Sequence, residues 1–117
     1  MSNPARSIMV FGVYLSVAGL CFIFIPNFVL PLFGFPATTE VWIRLAGLLT
    51  IILGMYFFYS VRYEDRHFFR ATVFARLMFF TGVTLFVILG WGSAMLIAFG
   101  LVDLAGAAWT WLALRSS

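Results

Sequence analysis

Four apolar runs, at residues 7–25, 41–61, 68–89 and 94–114, occupy nearly all of this 117-residue chain. Each matches the stretch of about 18 or more apolar residues that crosses a bilayer as a helix. Hydrophobic residues make up 64% of the chain and charged residues only 9%, whereas a soluble domain is about a quarter charged. A soluble fold of this length has too little interior to hide that much apolar surface. The sequence therefore predicts one all-α domain over residues 1–117: an integral membrane four-helix bundle running up-down-up-down.

The breaks between runs carry their own signals. Pro26, Pro31 and Pro36 punctuate residues 26–40, and proline at that spacing removes donors and disfavours a long helix. The segment is still apolar, with Phe28, Leu30, Leu32, Phe33 and Phe35. It is predicted to lie along the membrane surface or fold back as a lid, because irregular backbone at membrane depth must be buried in protein. Thr38-Thr39-Glu40 offers a cap and a first-turn acid to the second helix. A polar turn at residues 62–67 and a tight Gly90-Trp91-Gly92-Ser93 turn separate the later helices. The first run is longer than a signal-peptide core and is not followed by a small-residue cleavage pattern, so it reads as a retained helix.

All positive charge comes from arginine; the chain has no lysine and a net charge of +3. With four spans, Arg6, Arg62, Arg66, Arg70 and Arg115 share one side, and only Arg44 lies near the other. The positive-inside rule places both termini in the cytoplasm of a bacterial inner (plasma) membrane protein. Trp42 and Trp91 fall near the outer interface and Trp111 near the inner one, as an aromatic belt requires. A sequence pI near 9.6 does not point to nucleic acid, since no basic stripe exists to track a phosphate backbone.

Chemistry is excluded largely by count. Cys21 is the single cysteine and His67 the single histidine, and the carboxylates are Glu40, Glu64, Asp65 and Asp103. These cannot furnish a Glu-x-x-His di-metal site or a Cys/His zinc site. Neither a glycine-rich phosphate loop nor a nucleophile constellation is present. No cofactor, metal or catalytic residue is predicted, and the balance leans away from an enzyme.

Two charges deep in the runs stand out. Asp103 lies near the bilayer midplane, where a lone carboxylate costs roughly 2.5–3.5 kcal/mol on insertion scales. Arg76 lies within about 5 Å of the same depth on the preceding helix. A buried Arg76–Asp103 pair is predicted, either fixing helix register or forming a proton- or anion-linked site. Arg44, one turn inside the outer interface, either snorkels to the headgroups or joins Glu40 in a lipid or anion contact. Small residues mark the packing faces: Gly12, Ser16 and Gly19 on the first helix, Gly47 and Gly54 on the second, and Gly100, Gly106 and Ala107 on the fourth. In lipid such residues supply close backbone approach. The arginine–acid turn at residues 62–70 reads as a topology signal or an anionic-lipid contact.

Trp42-x-Arg44-x-x-Gly47, Gly54-x-Tyr56, Arg76-Leu77 and Asp103-x-x-Gly106-Ala107 resemble the small four-span membrane proteins grouped as DoxX-like or BphX-like. That resemblance implies an accessory subunit or assembly factor, sometimes linked to quinone or aromatic-compound metabolism. Three functions follow as expectations. The first is a non-enzymatic accessory subunit or assembly factor, contacting the bilayer and other membrane subunits or further copies of itself. The second is a small oligomeric transporter or channel using Arg76 and Asp103. The third is a quinone-linked redox subunit with Tyr56, Tyr59 and Arg44 near a ring pocket.

Overall fold

A computed structural model of the protein describes residues 1–116. The described residues form helices α1 (Asn3–Phe24), α2 (Pro26–Val29), α3 (Trp42–Arg62), α4 (Arg66–Ile88) and α5 (Met95–Arg115), with a 3-10 turn at Leu30–Phe33 after α2. Among them, α1, α3, α4 and α5 are long and apolar enough to cross a membrane. The protein is an integral membrane protein built as an all-helical bundle.

Local chemistry explains where these helices start and stop. α1 begins earlier than hydropathy alone indicates, because the Ser2 side chain accepts the Ala5 N–H and Pro4 sits in the first turn. Proline suits that position, since its missing N–H would be unpaired there in any case. The Asp65 side chain caps α4 by accepting the Phe68 N–H at 3.2 Å. By contrast, Thr38-Thr39-Glu40 does not cap α3. The cap residue is Val41, with no side-chain hydrogen bond, and the first turn holds no acid. Thr38 Oγ1 instead accepts the N–H of Glu40, while the Thr38 N–H goes to Asn27 Oδ1. The threonine closes a local turn within the loop, a common competitor of capping.

Residues 26–33 of the proline-rich segment form short helical turns, and residues 35–39 stay irregular. The turns end at Gly34, at φ +82°, a left-handed conformation that favours glycine. A Cβ there would also approach the Ser93 side chain to 2.9 Å. Ser93 Oγ donates to the Phe33 carbonyl, so the loop folds back and is clasped to the α4–α5 turn.

The spans pack in the order α3, α1, α5, α4, with α1 against α3, α4 against α5, and α1 and α5 in the middle. The α1–α3 seam is a line of small residues. A Cβ on Gly19 would lie 2.6 Å from the Gly47 carbonyl oxygen, and one on Gly54 would lie 2.8 Å from Ser16 Oγ. In a closed ring of four helices α3 and α4 would also pack. Here they do not run against each other along their length, and the molecule is a slab of 44 × 29 × 16 Å. They meet near their turn, where Phe57 and Phe68 stand edge to face at 5.7 Å. The core lies at this end, around Ala5, Ile8, Phe11, Phe57, Val61 and Phe69.

Candidate functional site

The polar interior is built where α1, α4 and α5 meet. Arg76 on α4 is 3% exposed and Asp103 on α5 is 8% exposed. Thr72, one turn before Arg76, gives its carbonyl to Nε at 3.1 Å and its hydroxyl to Nη2 at 3.0 Å. Nη2 also donates to Thr110 Oγ1 on α5 at 2.8 Å. Thr110 is fully buried and lies 2.7 Å from Ser7 Oγ on α1, which donates to the Pro4 carbonyl. Since the Ser7 proton goes to Pro4, the Thr110 hydroxyl is the donor to Ser7. A directed relay thus runs from the guanidinium through Thr110 and Ser7 to a backbone carbonyl at the start of α1. A parallel branch runs through Thr72 to the Phe69 carbonyl. Both spread the positive charge over oxygen dipoles, which is how a guanidinium survives inside a low-dielectric bundle.

The flat face of Arg76 lies over the Phe11 ring at 4.8 Å, a cation–π contact that adds to the cradle. Gly106 makes room for it, since a Cβ there would sit 3.0 Å from both Nη1 and the Phe11 ring.

The structure buries Arg76 and Asp103 in the same interior, with Arg76 Nη1 beside Gly106, one turn beyond Asp103 on α5. They do not form the direct ion pair that depth alone predicts. Arg76 directs its hydrogen bonds to hydroxyls and a carbonyl, and Nη1 has no protein partner. Sequence reasoning missed Thr72, Ser7 and Tyr14, and it placed Thr110 on the packing face of the fourth helix with Gly100, Gly106 and Ala107 without a role in holding Arg76. The i−4 spacing of Thr72 from Arg76, and of Thr110 four residues beyond Gly106, was the available signal.

The other singled-out residues are dispersed. Arg44 is exposed and donates to the Ile23 carbonyl at the end of α1, so it ties α3 to α1 rather than joining Glu40. Tyr56 and Tyr59 line a cleft of about 420 Å³ between α3 and α4, together with Met55, Ser60, Tyr63, Asp65 and Phe68. Arg44 lies 12 residues from Tyr56 on the same helix, about 18 Å away, so these residues do not share one ring pocket. A separate apolar cleft of about 140 Å³ lies under the proline-rich loop, between Phe22, Phe33, Phe35, Trp42 and Phe99. His67 is exposed, Cys21 is a free thiol, and no cluster of metal-ligating side chains occurs among the described residues.

Comparison with known protein families, curated proteins and solved structures returns no match for this chain.

Proposed function

We propose that this protein is a non-enzymatic accessory or assembly subunit of a membrane complex, and that a partner's transmembrane helix seats in the open seam between α3 and α4. The observation that carries this reading is the seam itself. α3 and α4 are consecutive spans, yet they stay apart along their length and leave the 420 Å³ cleft lined by Tyr56, Tyr59, Tyr63 and Ser60. A helix at that seam would bridge α3 and α4 and close the bundle, and the hydroxyls would give it polar contacts of the kind that join helices in lipid. The excess of arginine at the end bearing both termini orients that end to the cytoplasm of a plasma membrane. The DoxX-like resemblance of the Trp42, Gly54, Arg76 and Asp103 segments belongs to the same proposal.

A photo-crosslinker replacing Tyr59 should capture a defined membrane protein in native membranes. The same crosslinker replacing Met78, 75% exposed on α4, should capture lipid. Identical adducts at both positions would defeat the proposal. A second reading, a small oligomeric transporter, draws on the buried Arg76 and Asp103. It requires proton or anion flux in proteoliposomes that Asp103→Asn abolishes while the protein still folds.

A further inference from the structure

Three polar groups on three adjoining helices lie in the interior beside the relay with donor and acceptor capacity left over. Arg76 is 97% buried by its 3% exposure, and Nη1 carries two N–H donors with no protein partner. Nη1 points at Gly106, one helical turn beyond Asp103 on the same face of α5. Tyr14 comes from α1. Its ring packs on Phe11 at 5.2 Å and on Phe99 at 6.2 Å, and Phe99 is one turn before Asp103. The Tyr14 hydroxyl is buried and also lacks a protein partner. Asp103 itself is 8% exposed and accepts no hydrogen bond from the described residues.

We propose that Tyr14, Arg76 and Asp103 form a binding site for a neutral, water-sized guest that bridges the carboxylate to Nη1 and to the phenol. The chemistry selects the guest. An anion would face Asp103 and a cation would face Arg76, so neither sign is tolerated at both ends. A guest that donates to the carboxylate, accepts from Nη1 and exchanges a bond with the phenol satisfies all three groups. Water does this, and two to four polar partners are what an internal water needs. The two clefts described above are lined by other residues. The energetic reason is general: buried polar groups left unpaired are costly, and native interiors avoid them. The inference stands apart from the subunit reading, since it concerns the bundle interior and not the α3–α4 seam.

The sign of one conservative substitution tests it. If the phenol is bridged, Tyr14→Phe in detergent-solubilised protein lowers Tm by at least about 3 °C. The loss shrinks in an Asp103→Leu background, because both changes act on one bridge and leucine has no acceptor. Should Asp103→Leu not purify, Arg76→Lys serves as the background, since it keeps the charge and removes the Nη1 donor. An unchanged or raised Tm for Tyr14→Phe overturns the proposal, because deleting a lone buried hydroxyl relieves a penalty. So does a loss that is strictly additive with either background, which would be ordinary packing.

Discussion

At the scale of single residues, Thr110 decides how a charge is held inside this bundle. It accepts from Arg76 and passes a hydrogen bond to Ser7, so one hydroxyl joins α4, α5 and α1. Thr110→Val keeps the shape and deletes both bonds. It should lower stability by about 1–2 kcal/mol, the upper range for a hydrogen bond between membrane helices. A double-mutant cycle with Ser7→Ala should show coupling, and full additivity would mean the relay carries no energy. Glu64 acts outside the membrane. It adopts a left-handed φ of 49° in the α3–α4 turn and accepts the Ser2 N–H at 3.0 Å and the Ser2 hydroxyl at 2.7 Å. Those two bonds, helped by the N-terminal ammonium and Arg66, hold its carboxyl below the usual range. A depressed folded-state value means that the clamp is fully present above the unfolded value and is lost as pH falls through the folded one. Amide protection at Ser2 and Ala5 should therefore hold above about pH 5 and fall as pH drops below the ordinary carboxylate range, and Glu64→Gln should flatten that dependence. Protection that is independent of pH in the parent would contradict the clamp.

At the scale of elements, the helices were legible because length and hydropathy are local. Their ends moved where short-range bonds compete with hydropathy: Ser2 extends α1 backwards, and Thr38 closes a loop turn instead of capping α3. Glycine was less legible, because composition does not say which glycines touch another helix. Gly47 and Gly82 make the contrast. A Cβ on Gly47 would meet the Gly19 carbonyl oxygen at 2.7 Å, whereas one on Gly82 meets nothing within 4 Å. Gly47→Ala should destabilise the α1–α3 seam by about 1–3 kcal/mol, through overpacking against backbone that cannot yield. Gly82→Ala should be neutral or stabilising by up to about 1 kcal/mol, through helix propensity alone. Thermal melts of the two variants side by side check this, and equal losses would show that the seam is not tight.

At the scale of the molecule, both ends of the chain and the α3–α4 turn lie together. Ser2 bonds Glu64, Trp109 Nε1 donates to Asn3 Oδ1, and Arg66 donates to the Leu114 carbonyl. In a Cys21→Ser background, Ser116→Cys and His67→Cys should therefore react with a membrane-impermeant thiol reagent from one face. Thr39→Cys should react from the other. Reaction of residue 116 from the same face as residue 39 would break the four-span topology. The number of spans, the shared side of the termini and the depth of Arg76 and Asp103 can be read from residue order alone, since each depends only on position along a helix of known rise. That α3 and α4 stand apart, and that Arg76 turns to Thr72, Thr110 and Phe11 rather than directly to Asp103, emerges only from how the helices pack. Depth along a helix is a one-dimensional quantity. Which side chain lies opposite another depends on the rotation and neighbour order of the helices, and these are set by close contacts between residues far apart in the chain.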